Sequence, residues 1–336
     1  MKNKIITISG LSIHPGEKIS VALPIPELYS CARLHIPIHI IHGKKAGPTL
    51  LICSGMNANE VNGMAVLQKL LSLQLLKGLF GTLITIPLLN VHSLFMSLQT
   101  FSDQNDLENS FPGCETGSFS SRIAFLLSKE IFHLATHCID LRSGSFNTYT
   151  APQVHTNLKI EIAKNMAKIF QPPFIFDTDS KQGMFHLHQK ENPIPTIVYQ
   201  TGELNRLDKE GVKEGVRGII RVMRELKMLA PLNITPKDSQ KVPLVIESPI
   251  STYSPYSGLC KFYQSLGTEV KKDSLIAVIS DPLGTKSKEK ILSPSDGILM
   301  SRSTKVLIHE GECIFQIGQS RKTESEFWQA NQEPIE

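Results

Sequence analysis

The feature that most constrains this chain is a repeated exchange between short apolar runs and apolar residues at helical spacing. Runs of four to eight apolar residues bounded by Gly, Pro and Asn suit strands buried on both faces of a sheet. Helical periods between such runs supply the crossovers that a parallel sheet requires. Residues 19–25 (ISVALPI) and 34–42 (LHIPIHIIH) read as strands, and Gly47-Pro48 leads into a third, TLLICSG. Apolar residues at 61, 64, 67, 70, 71 and 75 predict a helix over 60–76, ending near Lys77-Gly78. Strands follow at 82–90, 137–141 and 195–202, with helices at 121–135, 159–170 and 208–229. The pattern predicts an α/β domain over residues 1–230, built on a mixed, mainly parallel sheet flanked by helices.

Beyond residue 230 the texture changes. Pro231, Pro236 and Pro243 among polar neighbours mark a linker over 231–245. Short strands then alternate with turn signals at Gly267, Asp281-Pro282-Leu283-Gly284, Pro294 to Gly297, and Gly311. Residues 246–320 therefore read as a small all-β barrel or sandwich, and 321–336 as a polar tail.

Composition excludes several classes. The 336 residues are 41% hydrophobic and 20% charged, which is globular rather than disordered. Thirty-five Lys plus Arg against 31 Asp plus Glu leaves +4, and the basic pairs Lys44-Lys45, Lys271-Lys272 and Arg321-Lys322 stand apart. No aromatics interleave with them, so nucleic acid is not an expected partner. No apolar stretch is long enough for a signal peptide or a membrane span. The six scattered cysteines form no Cys-x-x-Cys pair, and a cytoplasmic, membrane-free protein with reduced thiols is expected. Cys53, inside an apolar run, reads as a buried structural thiol.

Ordered motifs then narrow the fold. GPTLLICSGMNANEVNGMAVLQKLL resembles the zinc-binding entry of the succinylglutamate desuccinylase/aspartoacylase family, relatives of the zinc carboxypeptidases. In that family an apolar strand is followed by Gly-x-His-Gly-x-Glu, an Asn-Gly and a helix. LLNVHSLFMSLQTFSDQNDLENSFPG (88–113) resembles the family's substrate-binding segment ending Asp-Leu-Asn-Arg-x-Phe-Pro-Gly. CIDLRSG is similar to the family's Ile-Asp-Leu-His-Thr-Gly, and TIVYQTGELNRLD to the segment carrying the catalytic glutamate. The resemblance runs in order over nearly the whole chain. It implies a zinc-carboxypeptidase-like fold with a hammerhead-like C-terminal β domain, and in the family a zinc-dependent amide hydrolysis.

That chemistry needs three metal ligands with one position open to water, a carboxylate base, and a cation for an oxyanion or carboxylate. At the family's metal positions this chain has Asn57, Glu60 and Arg142. A carboxamide is a poor zinc ligand, and a guanidinium has no lone pair to donate. The base position is Gln200, whose amide cannot accept a proton near neutral pH. At the substrate-binding positions Gln99, Glu108 and Asn109 replace the expected donors, and Asp106 is retained. No metal site and no cofactor is expected here, although the family carries zinc.

The chain therefore reads as a catalytically inactive family member acting as a binding or regulatory protein. Its partner would be a small ligand, another protein, or a second copy in a homo-oligomer. The rival reading is a divergent zinc-dependent deacylase or carboxypeptidase-like hydrolase of N-acyl amino acids or peptides. Relocated ligands among His92, His137, His155, His186 and His188 are weaker candidates than ordinary hydrogen-bonded histidines. The turn DPLGTKSKEK resembles the lysine hairpin of biotinyl and lipoyl carrier domains but lacks their Met-Lys-Met or Asp-Lys-Ala setting. A buried Glu60 without a metal needs a positive partner, and Arg142 is the expected one.

Overall fold

The computed structural model describes residues 2–26, 34–93, 106–178, 194–231, 243–285 and 287–320. The first part contains strands β1 (Ile6–Ile8), β2 (Leu11–Ile13), β3 (Lys18–Pro24), β4 (His35–His42), β5 (Thr49–Ser54) and β6 (Thr82–Ile86). It continues with β7 (His137–Ser143), β8 (Thr148–Thr156), β9 (Phe174–Asp177) and β10 (Thr196–Gly202). Its helices are α1 (Val61–Leu71), α2 (Phe119–Glu130), α3 (Glu161–Phe170) and α4 (Lys209–Glu225). Each apolar run named above becomes a strand, and each helical period a helix. The 60–76 period breaks after Leu71, with a 3₁₀ turn over Gln74–Gly78 taking the remainder. Asp208 caps α4, its carboxylate accepting the Gly211 N–H at 3.1 Å.

Two strands of the sheet carry no clear sequence signal. β8 is interrupted by Pro152 and half polar, and β9 is only four residues long. Tertiary pairing makes them strands: β8 runs antiparallel to β10 and parallel to β9.

The C-terminal strands are β11 (Leu244–Tyr253), β12 (Gly258–Phe262), β13 (Glu269–Val270), β14 (Leu275–Ser280), β15 (Glu289–Leu292), β16 (Gly297–Ser303), β17 (Leu307–Ile308) and β18 (Cys313–Ser320). They form a sandwich, one leaf of which is continuous with the main sheet. The twelve-stranded order is β13-β16-β18-β11-β9-β8-β10-β7-β5-β6-β4-β3, with β16 also pairing with β8. β11 begins inside the stretch read as a linker and pairs in parallel with β9, Leu244 opposite Phe174. The second leaf is β15-β14-β12-β17, and Ile276, Ile279, Leu299, Phe315 and Ile317 fill the space between. No helix among the described residues is long and apolar enough to cross a membrane.

Alternation along the central strands sends residues to two cores. Ile52, Ile139, Leu141, Val154, Ile197 and Tyr199 pack beneath α1, α3 and α4. Leu51, Cys53, Ile84, Ile86 and Cys138 pack on the other face with α2 and with Ile8 and Ile13 of the β1–β2 hairpin. This second apolar cover reaches β7 and stops there. At the corresponding positions β10 carries Thr196, Val198 and Gln200, and β8 carries Gln153 and His155.

Candidate functional site

The site lies where that cover ends. Asp140 and Arg142 are two apart on β7 and share the face opposite Ile139 and Leu141. Strand register sets Arg142, Gln200 and Gln153 side by side on β7, β10 and β8. One step back, Asp140, Val198 and His155 make the adjacent row. His137 falls an odd number of residues from Asp140 and so turns away, as its position on the strand requires; its Nδ1 contacts Thr136 Oγ1 at 2.9 Å.

Glu60 comes from the loop after β5. It stands at the N-terminus of α1, where its backbone N–H donates to Asn57 O at 3.0 Å. Its Oε2 accepts the Asn57 backbone N–H at 3.2 Å, so the Asn57–Glu60 turn is closed on itself. The Asn57 position thus shapes the turn through its backbone.

Arg142 is the hub. Its Nε donates to Asp140 Oδ2 at 2.7 Å, and its Nη1 to Glu108 Oε2 at 3.3 Å. The same Nη1 lies 4.0 Å from Glu60 Oε1. The expected Glu60–Arg142 pair is therefore present at its outer limit, within a larger cluster of one guanidinium and three carboxylates. Asp140 was the tighter partner to be found, and its signal was available: an acid two residues before Arg142 on one strand. Asp106 serves this arrangement indirectly. Its Oδ1 accepts the Glu108 N–H at 3.0 Å, at the start of the 3₁₀ turn Glu108–Ser110 that presents Glu108. Asn109 donates to Asp106 Oδ2 at 3.4 Å and stays within that turn. Gln99 lies outside the described residues.

The cluster carries more formal negative charge than positive. Burial pushes the Glu60 carboxyl up to about 7 despite the opposing pull of Arg142, and Asp140 adds to the rise. The Asp140 carboxyl is raised for the same first reason, with Arg142 holding it back, and its Oδ1 has no hydrogen-bond partner among the described residues. Burial disfavours the Arg142 charge as well, but Asp140, Glu60 and Glu108 outweigh that and raise its pKa. Arg142 stays charged, while Glu60 can take up a proton near neutrality.

Gln200 is built into a neutral relay. Its Nε2 donates to Ser143 O at 3.0 Å, and its Oε1 accepts from Gln153 Nε2 at 3.1 Å. Gln153 Nε2 also faces His155 Nε2 at 2.9 Å, which makes that nitrogen the acceptor and leaves the imidazole proton on Nδ1. His155 stacks on Phe176 with centroids 4.6 Å apart and planes 8° from parallel. Burial drives its pKa down to about 4. Gln153 and His155 had no motif in the sequence to mark them. They arrive through β8, the strand that periodicity did not reveal.

The profile of the succinylglutamate desuccinylase/aspartoacylase catalytic domain matches residues 46–226, more than half of the chain. The chain belongs to the succinylglutamate desuccinylase/aspartoacylase family. It is 22% identical over 294 residues to the N-α-acetyl-L-2,4-diaminobutyric acid deacetylase of Halomonas elongata, covering 84% of this chain and 85% of that one. A succinylglutamate desuccinylase from Silicibacter sp. superposes with TM-score 0.76 at 20% identity, over 96% of this chain and all of the other. The product-bound ectoine utilization protein EutE of Ruegeria pomeroyi gives 0.77 at 20% identity, over 95% and 100%. The expected carboxypeptidase-like fold is thus the observed one.

The positions that the resemblance assigns to metal ligands hold a donor set that does not fit zinc: Glu60 is an acceptable ligand, but Asn57 is an amide, and the Arg142 guanidinium, which has no lone pair to donate, lies 4.0 Å from the Glu60 carboxylate. Among the described residues no group of three or more His, Cys, Asp or Glu could hold a metal ion. His186 and His188 lie outside those residues, as does Lys286 of the carrier-like hairpin.

Proposed function

We propose that this family member does not carry out zinc-dependent hydrolysis and acts as a small-molecule binding or regulatory protein. The observation that carries the reading is the Arg142 cluster. A guanidinium bound to Asp140 and Glu108, and 4.0 Å from Glu60, supplies the positive charge that a metal would bring in the family. It cannot polarise a carbonyl as a Lewis acid or lower the pKa of a bound water. Gln200, held by Ser143 O and Gln153, offers no base to take a proton. Free cysteines among the described residues, with Cys53 and Cys138 buried, support a reducing cytoplasmic setting.

The alternative is a divergent zinc-dependent deacylase, favoured by the retained Glu60 and by likeness to a deacetylase over most of the chain. Metal content after incubation with zinc, followed by assay against N-acetyl and N-succinyl amino acids, separates the two. The expected result is substoichiometric zinc and no turnover. A tightly held equivalent of zinc with hydrolysis would overturn the proposal. A triple variant carrying Asn57→His, Arg142→His and Gln200→Glu is the complementary arm, and a gain of zinc binding is expected there.

A further inference from the structure

A cavity of about 590 Å³ opens along the seam where β16 pairs with β8 and the C-terminal sandwich meets the main sheet. Its lining takes in the neutral relay of Gln200, Gln153 and His155. Gln153 is 7% exposed and spends its amide hydrogens on Gln200 Oε1 at 3.1 Å and His155 Nε2 at 2.9 Å. Its own carbonyl oxygen has no hydrogen-bond partner among the described residues. His155, two residues along β8 and on the same face, keeps its Nδ1–H unspent among those residues. An unused acceptor and an unused donor thus stand on neighbouring side chains at the border of one cavity. Thr148 and Thr150 add hydroxyls with no hydrogen-bond partner among the described residues, and register sets them opposite Ser303 and Ser301.

The charge on this lining disfavours an anion. Arg302 of β16 is the only permanent cation among the described lining residues, and its guanidinium is turned elsewhere. Its Nη1 donates to Gln264 O at 3.3 Å and the group lies 5.4 Å from the Phe262 ring centre; neither residue lines the cavity. Burial holds His155 neutral, with its pKa down to about 4. Asp177 is the one carboxylate among the described lining residues. An anion here would lose its water without meeting a counter-charge, whereas a ligand that completes the open hydrogen bonds is favoured. We propose that the seam binds an uncharged ligand through a planar amide edge, an N–H beside a C=O. The N–H donates to Gln153 Oε1, and the C=O accepts from His155 Nδ1–H. The parallel His155–Phe176 stack lies on the same lining and suits a flat ring.

This deepens the small-molecule binding reading and rests on it, because Gln200 is taken as part of the wall and not as a base. Three related rings test it by ligand-observed NMR titration of the full chain. Uracil carries the amide edge, 1,3-dimethyluracil lacks both N–H groups, and orotate adds a carboxylate to the uracil ring. Uracil is expected to bind about 10- to 100-fold more tightly than either, the range for a buried acceptor left unsatisfied or a charge left unpaired. Gln153→Met should erase the preference over 1,3-dimethyluracil. His155→Phe should weaken both rings about 3- to 10-fold, because each presents the C=O that Nδ1–H serves. If either variant fails to fold, the three-ring comparison on the wild type decides. Absence of uracil binding at millimolar concentration, equal binding of 1,3-dimethyluracil, or orotate binding as tightly as uracil overturns the proposal. So does a folded Gln153→Met that keeps the preference, or a folded His155→Phe that binds uracil undiminished. A failed titration beside a silent zinc assay rejects the ligand class alone; zinc-dependent turnover in that assay rejects the binding reading itself.

Discussion

Replacing Glu60 by Gln tests the electrostatics of the Arg142 cluster through stability. Glu60 is 4% exposed, and burial lifts its carboxyl from 4.5 to about 7. A raised pKa means that the folded state binds the proton more tightly than the unfolded chain does. The resulting stability is fully present below pH 4.5 and is lost as pH rises through 7. At about 1.36 kcal/mol per pH unit, the loss by pH 8 approaches about 3 kcal/mol. His155 acts in the opposite sense: burial lowers it from 6.5 to about 4, so its contribution is complete above 6.5 and lost as pH falls through 4. Across the middle of this range the two largely offset each other in the wild type. Glu60→Gln removes one side of that balance. Its Oε1 can still accept the Asn57 N–H, and Arg142 keeps Asp140 and Glu108. Urea denaturation followed by circular dichroism at pH 5 and pH 8 should show the variant more stable than wild type at pH 8, by about 1–3 kcal/mol, and little different at pH 5. Its stability should then fall with acid along the His155 titration. A variant less stable than wild type at pH 8 would show Glu60 to be a well-paired anion, and the reasoning would fail.

Two further substitutions probe the scaffold around the site. Arg142→Met leaves Asp140 and Glu60 buried without their cation, and should cost about 3–5 kcal/mol at pH 8. The cost should shrink at pH 5 as the carboxyls take up protons; thermal melts that show an equal loss at both pH values would contradict the cluster's role. Asn62 is fully buried, accepts the Asp208 N–H at 2.7 Å, and donates toward Ser143 Oγ, Glu203 O and Arg206 O. Asn62→Ala strands those groups and should lower stability by about 3 kcal/mol; a change in urea midpoint equivalent to under about 0.5 kcal/mol would show that the loop after β10 is held otherwise.

Several of these groups are legible in the amino-acid order alone. Glu60, Arg142, Gln200, Glu108 and Asn109 stand inside ordered motifs, so each can be identified by position. The chemistry of amide and guanidinium then says what those positions cannot do. Cys53, inside an apolar strand, is readable as a buried thiol, and burial does raise its pKa. The strength of the Arg142–Asp140 contact, against the looser approach to Glu60, is not readable. Distances of 2.7 and 4.0 Å depend on where the Asn57–Glu60 turn closes against β7.

The sequence by itself determined the α/β alternation and the two faces of each central strand, and the family resemblance assigned ligand and base positions to Asn57, Glu60, Arg142 and Gln200. These follow from local periodicity and collinear motifs, in which near neighbours in the chain are also near in space. Tertiary structure alone decided that β8 is a strand, that it lies beside β10, and that β16 closes over it. Those pairings join residues far apart in the chain, such as Ser301 with Thr150 and Gln200 with Gln153. No local pattern encodes them, because a half-polar segment broken by Pro152 acquires its strand conformation only when both neighbours are in place. The neutral relay and the seam cavity both depend on that closure.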